Sequence, residues 1–176
     1  MPIIHWQYRL TAAEAEGGAQ LYVRELSELK PKPIAGTSGA RHPFFSPDGH
    51  WVGFFAEGAL QRVSIAGGAP LRICNASGLS MGGSWGHNNT IIFALRSMGL
   101  YRVSATGGTP QLLAGSKLGT WPEILPDNRT VLFSTGTAIA IVPLSGGQMR
   151  ILARTNDSSA EGPLSLIHIS EPTRPY

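Results

Sequence analysis

This chain of 176 residues is poor in cysteine, in charged residues and in long apolar runs, and each shortage excludes a class of protein. Its single cysteine, Cys74, excludes a disulfide within the chain and a zinc site built on thiolates. No apolar run approaches the roughly 18 residues that a membrane-spanning helix needs. Residues 1–10 hold no basic segment followed by an apolar one, so the sequence predicts no signal peptide there.

Charge is scarce as well. Asp, Glu, Lys and Arg make up only 14% of the chain, and the formal net charge is +3. The basic residues stand singly along the sequence, whereas a nucleic-acid-binding protein concentrates them on one face or stripe. We therefore expect no nucleic-acid partner.

Glycine is abundant, with 22 residues, and it recurs at fixed intervals. An apolar segment of the Leu-Tyr-x-Val type begins at residues 21, 60, 100 and 139, in steps of 39, 40 and 39. Glycine pairs follow at 67–68, 107–108 and 146–147, and a turn-like segment occurs at 46–49, 85–88 and 125–128. Three sequence features that recur with the same spacing indicate a structural repeat of about 40 residues.

One repeat unit, residues 42–74, reads as four short antiparallel strands. Its turns are Pro47-Asp48-Gly49, Glu57-Gly58 and the Gly67-Gly68 pair. Such a unit is typical of a β-propeller blade. The sequence therefore predicts an all-β fold, an incomplete β-propeller of about three and a half four-stranded antiparallel blades. Equivalent phenylalanines are expected to form a buried layer between blades: Phe54, Phe93 and Phe133.

The repeat divides the chain into blades. Residues 1–41 are a partial first blade with strands near 6–10, 21–26 and 32–35, and its first strand is absent. Residues 42–80, 81–118 and 119–153 are complete blades. The segment 12–16 looks locally helical, but the repeat places it in a loop between strands.

Residues 154–176 match no blade position. From residue 163 the segment contains three prolines, and we expect it to be disordered. It resembles a string that appears on unrelated reading frames when sequencing-adapter bases are translated. The alternative is a genuine loop that leads into a further, truncated blade.

The motifs resemble TolB-type, WD-like propeller repeats over residues 6–153. The matching run is Gln20-Leu21-Tyr22-Val23-Arg24, then Pro43-Phe44-Phe45-Ser46-Pro47-Asp48-Gly49, Gly67-Gly68-Ala69-Pro70, Ser84-Trp85-Gly86, Trp121-Pro122 and Leu125-Pro126-Asp127. Within that family the pattern is most similar to the C-terminal propeller of bacterial receptor-type serine/threonine protein kinases. The resemblance implies a fragment of a larger bacterial protein and an extracytoplasmic or periplasmic location. The chain has no kinase motif, so any kinase activity would belong to a missing domain.

Residues that could carry chemistry are better explained by structure. Ser80 and Ser84 lie in Gly-x-Ser-x-Gly matches, but a nucleophile elbow needs a helix after the serine, and glycines and turn residues follow. We expect no general base near either serine. The five histidines lack metal-ligand spacing, and Asp48 and Asp127 read as turn caps beside Pro47, Gly49 and Pro126. We predict no catalytic, cofactor or metal residue.

The expected function is therefore that of a non-catalytic binding or sensor module. Its ligand-face aromatics would be Trp85 and Trp121, for which core packing is the alternative. Its partner would be a protein or peptide, including an envelope component, with self-association through open blade edges. Two alternatives stay open: the propeller of a TolB-like periplasmic protein, and the gating propeller of a prolyl-oligopeptidase-type peptidase.

Overall fold

The computed structural model describes residues 8–15, 18–113 and 118–154. These residues contain strands and turns but no helix, and therefore no helix that could cross a membrane. The strands are β1 (Tyr8–Ala15), β2 (Gly18–Glu25), β3 (Lys32–Pro33), β4 (Arg41–Phe45), β5 (Trp51–Ala56), β6 (Ala59–Ser64), β7 (Leu71–Asn75), β8 (Ser80–Trp85), β9 (Thr90–Leu95), β10 (Gly99–Ser104), β11 (Gln111–Leu112), β12 (Thr120–Ile124), β13 (Thr130–Ser134), β14 (Ala138–Pro143) and β15 (Arg150–Arg154).

The strands form four antiparallel sheets, each a meander in chain order. The first sheet is β1-β2-β3, and the second, third and fourth are β4 to β7, β8 to β11 and β12 to β15. The first strands of the last three sheets, β4, β8 and β12, lie side by side. We call them the inner strands. Sheets stacked in this way are successive blades, so the fold is an incomplete β-propeller and the predicted fold class is confirmed.

One local expectation was wrong. Residues 12–15, which were assigned to a loop, belong to β1, which pairs with β2 from Tyr8 opposite Glu25 to Ala15 opposite Gly18. Backbone pairing along the whole strand therefore overrides the local helical preference of the Ala-Glu sequence. The segment 1–7 and the tail 155–176 lie outside the described residues.

Apolar clusters fill the spaces between neighbouring sheets. Phe54, Phe93 and Phe133 are 0%, 0% and 2% exposed, so the predicted layer of equivalent phenylalanines is confirmed. Phe54 belongs to the cluster between the first and second sheets, and the other two belong to the next clusters along the chain. These clusters fix the blades relative to one another and thereby position the inner strands.

The turns after the inner strands are held by side-chain caps. The carboxylate of Asp48 accepts hydrogen bonds from the Ser46 hydroxyl and from the His50 N–H, at 3.0 Å for the latter. Partial burial raises the pKa of Asp48, but these hydrogen bonds outweigh it and hold the pKa below its ordinary value. Asp127 caps the equivalent turn of the fourth sheet by accepting from Arg129 and Thr130 N–H groups.

Candidate functional site

Each inner strand begins with a β-bulge. The pairing register shifts between Arg41 and Phe44 in β4, between Ser80 and Gly83 in β8, and between Thr120 and Glu123 in β12. Each bulge contains a residue in the left-handed region: His42 (φ 47°), Gly82 (φ 89°) and Trp121 (φ 52°). A bulky residue seldom adopts this conformation, and bulges commonly redirect a side chain near a functional site.

The redirected side chains meet across three blades. The His42 Nδ1 and the Ser80 Oγ are hydrogen-bonded at 2.9 Å. The His42 ring also meets the Trp121 ring edge to face, with 5.1 Å between centroids. Trp121 packs over Gly82, where a Cβ would lie 2.8 Å from the indole, so only glycine fits there. We call His42, Ser80, Gly82 and Trp121 the bulge cluster.

The bulge cluster places a base beside a hydroxyl, which corrects the expectation that no general base lies near Ser80. Burial, and secondly the charge of Arg41, lower the pKa of His42, so its imidazole is neutral at neutral pH. Ser80 is itself buried, at 5% exposure. Among the described residues, no carboxylate hydrogen-bonds to His42 in the way that orients the base of a catalytic triad.

Ser84, the other serine in a Gly-x-Ser-x-Gly match, has a different role. Its Oγ accepts a hydrogen bond from the Ile124 N–H at 3.0 Å. The hydroxyl therefore joins β8 to β12 and fixes two neighbouring blades against each other.

A cleft of about 490 Å³ lies toward the other end of the inner strands. Three blades contribute to its lining, which is mostly apolar. We call it the face cleft, and its lining residues are Phe44, Phe45, Pro47, Gly83, Ser84, Trp85, Gly86, His87, Glu123, Ile124, Leu125, Pro126 and Asn128.

Two glycines and one side-chain amide shape the face cleft. The Phe44 ring lies between Gly53 of its own blade and Gly83 of the next, and a Cβ on either would lie 2.5 Å from the ring. The Asn128 Oδ1 accepts a hydrogen bond from the His87 N–H at 2.9 Å and so joins the third and fourth sheets. The cleft therefore depends on the packing of neighbouring blades.

The structure separates the two tryptophans that the sequence singled out. Trp85 is 8% exposed, packs in the apolar cluster with Phe55 and Phe93, and forms part of the cleft wall. Its buried Nε1 has no hydrogen-bond partner among the described residues. Trp121 is half-buried in the bulge cluster and packs on Gly82 of β8. Trp85 lies about 10 Å from Gly82 along β8.

Sequence reasoning gave no functional role to His42 or to the apolar residues of the cleft other than Trp85. His42, Gly82 and Trp121 occupy one repeat position, at intervals of 40 and 39 residues, and that spacing was available as a signal. Among the described residues, no group of three or more His, Cys, Asp or Glu side chains lies close enough to hold a metal ion.

Comparisons with known proteins identify the fold alone. No protein-family model matches the chain, and no curated protein matches its sequence. A TolB-like protein from Agrobacterium tumefaciens is similar in structure, with a TM-score of 0.71 and 15% identity over 86% of this chain and 65% of that one. A chain of the nidogen–laminin complex has a TM-score of 0.68 and 16% identity, over 85% of this chain and 62% of that one.

An enzyme is among the similar structures as well. Oligogalacturonate lyase from Vibrio parahaemolyticus has a TM-score of 0.62 and 15% identity, over 89% of this chain and 50% of that one. The chain therefore spans between half and two thirds of the length of these three propellers. At such low identity the likeness establishes a β-propeller and no particular activity.

Proposed function

We propose that this chain is the non-catalytic binding part of a larger β-propeller protein and that its face cleft holds a peptide segment of another protein. The observation that carries the proposal is the cleft itself. Three successive blades build one cavity of about 490 Å³, within the size range of ligand sites.

The lining favours a peptide as the occupant. Phe45, Ile124 and Leu125 offer apolar surface, while His87 and Asn128 place polar groups beside it. Apolar surface with a few polar groups suits a short segment that inserts one or two apolar side chains and hydrogen-bonds through its backbone.

The resemblance of the repeats to TolB-type propellers supports a proposal about the parent protein of this module and its location. We infer a bacterial, extracytoplasmic parent, such as a receptor-type serine/threonine kinase, with a TolB-like periplasmic protein as the alternative. A gating propeller of a prolyl-oligopeptidase-type peptidase is a further alternative. Catalysis by the bulge cluster has less support, because Ser80 is buried and no acid orients His42 within the described residues.

The proposal is tested by selecting binding peptides from a displayed library on the full chain and measuring their affinity for matched variants. Leu125→Glu places a charge in the face cleft, and we expect it to weaken the selected peptides about tenfold or more. Leu112→Glu is the control, because Leu112 is 48% exposed on the outer strand β11. Equal affinity for wild type and Leu125→Glu would contradict the proposal, as would an equal loss with Leu112→Glu.

A further inference from the structure

The second and third sheets carry an arginine at the same position of their third strands. Arg62 in β6 and Arg102 in β10 each stand opposite the third residue of the preceding strand, β5 or β9. The first residue of that preceding strand differs between the two sheets, because it is Trp51 in β5 and Thr90 in β9. The repeat therefore gives equivalent arginines two different neighbours.

In the second sheet the arginine stacks on a tryptophan of the chain itself. The guanidinium carbon of Arg62 lies over the Trp51 ring, 4.7 Å from its centre. A cation is attracted to the face of an aromatic ring, and indole is the best ring for this contact. The Trp51 side chain therefore occupies the space beside this guanidinium.

In the third sheet the equivalent position borders a cavity. Threonine is far smaller than tryptophan, and a cavity of about 340 Å³ lies against Thr90 and Arg102. We call it the arginine cavity, and its wall also carries polar side chains, among them those of Asn89, Ser104 and Gln111. Described sheets pack on both sides of the third sheet, so the cavity does not belong to an end of the stack of blades.

Arg102 is held in a position that suits stacking. Its Nη1 donates a hydrogen bond to the Leu144 backbone oxygen at 3.0 Å, and its Nη2 donates one to the Gln111 Oε1 at 2.9 Å. Because the N–H groups of a guanidinium point outward in its plane, these bonds leave its faces for contact with a ring. The arginine is thus ordered before a ligand arrives, which lowers the entropic cost of binding.

We propose that the arginine cavity binds an aromatic side chain, tryptophan or tyrosine, of another polypeptide. The ring stacks on Arg102 as the Trp51 ring stacks on Arg62, and the polar wall hydrogen-bonds the backbone on either side of that ring. The arginine cavity and the face cleft have no lining residue in common. Either proposal can therefore fail without the other.

The test uses the full chain, with fluoroindole as the probe and fluorine NMR as the measurement. Every measurement is made in the Leu125→Glu background, which keeps the probe out of the face cleft. We expect saturable binding with a dissociation constant of about a millimolar, since the probe has few atoms. N-acetyl-tryptophanamide should displace the probe, whereas N-acetyl-leucinamide, which has no ring, should not.

Two pairs of variants locate the binding site. T90W places the tryptophan of the second sheet in the third and should weaken probe binding about tenfold or more, because the new ring fills the cavity. T130W makes the same change in the fourth sheet, where Ile141 stands in place of the arginine, and should leave binding unchanged. R102Q should weaken binding about fivefold or more, whereas R62Q should not.

A gain of binding excludes misfolding as the explanation of these losses. W51T removes the ring that stacks on Arg62 and should create a second fluoroindole site, which doubles the stoichiometry. The proposal would be overturned by a W51T variant with no second site, by unchanged binding in T90W, or by equal losses in T90W and T130W. It would also be overturned by equal losses in R102Q and R62Q, by the absence of saturable binding at about ten millimolar probe, or by tighter binding of adenosine, which would assign the cavity to a nucleobase.

Discussion

His42 connects three blades through a single side chain, and its protonation should therefore affect stability. Burial and the nearby Arg41 lower its pKa in the folded protein. The unfolded chain then binds more protons than the folded one below pH of about 6.5, so stability falls as the pH drops through the folded-state pKa.

We predict that the free energy of unfolding, measured in urea from pH 7.5 down to pH 5, falls more steeply as the pH is lowered in the wild type than in His42→Asn. Asparagine tolerates the left-handed backbone at this position and does not titrate. The matched control is the same substitution at an exposed histidine, His87→Asn. Identical slopes for wild type and His42→Asn would show that protonation of His42 does not affect the fold.

Phe93 is one of the largest fully buried side chains of the apolar core. It is fully buried, stacks on Tyr101 with 5.6 Å between centroids and also contacts Phe55. We predict that Phe93→Ala lowers the free energy of unfolding by about 3–5 kcal/mol, since the site is packed on both sides. Leu118→Ala, at a residue 70% exposed, should change it by less than about 0.5 kcal/mol. A similar result for the two variants would mean that the register of β9 is wrong.

At the scale of the strand, the packing of Phe44 explains why β5 and β8 contain glycine. A Cβ at Gly83 would lie 2.5 Å from the Phe44 ring. We predict that Gly83→Ala destabilises the protein by about 1–3 kcal/mol, because the ring must shift within a packed interface.

The matched background for this test is Phe44→Leu, whose shorter side chain leaves room for the methyl group. Gly83→Ala should cost less in that background, and the difference is measured by a double-mutant cycle of urea unfolding. Additive effects would show that Phe44 is not the neighbour that requires glycine.

Features of the strands that neighbouring residues determine could be predicted from the sequence. Features that depend on pairing with other strands or blades could not. The Pro47-Asp48-Gly49 turn and the glycine pairs act within a few residues, so they were visible in the sequence and gave the blade period. The bulges at His42 and Trp121 depend on how two strands pair and what the next blade presents. No local sequence signal predicts a tryptophan with a left-handed backbone conformation. Trp85 and Trp121 are separated because they lie at opposite ends of the inner strands.

At the scale of the whole molecule, the outer strand β15 predicts self-association. It exposes Ile151 at 41% and Leu152 at 51%, and no described strand pairs with its outer edge. We predict that size-exclusion chromatography with light scattering gives a mass larger than that of one chain. The variant I151K/L152K should shift the protein toward the monomer, whereas L79K, at another exposed leucine, should not. A wild type that stays monomeric at high concentration would refute this prediction.

The central claim is that successive repeats stack as neighbouring blades and so bring residues 38 to 41 positions apart into contact. The most direct test is a thiol cross-link between two of those blades. In the double variant H42C/S80C, a short bifunctional thiol reagent should join the two residues within one chain, since their side chains are in contact.

The native Cys74 should not compete at pH 8, because burial raises its pKa to about 11. In H42C/S84C the second cysteine lies about 13 Å further along β8, and no cross-link should form. Efficient cross-linking of H42C/S80C alone is the result we predict; no cross-link, or equal cross-linking of both variants, would contradict the blade arrangement.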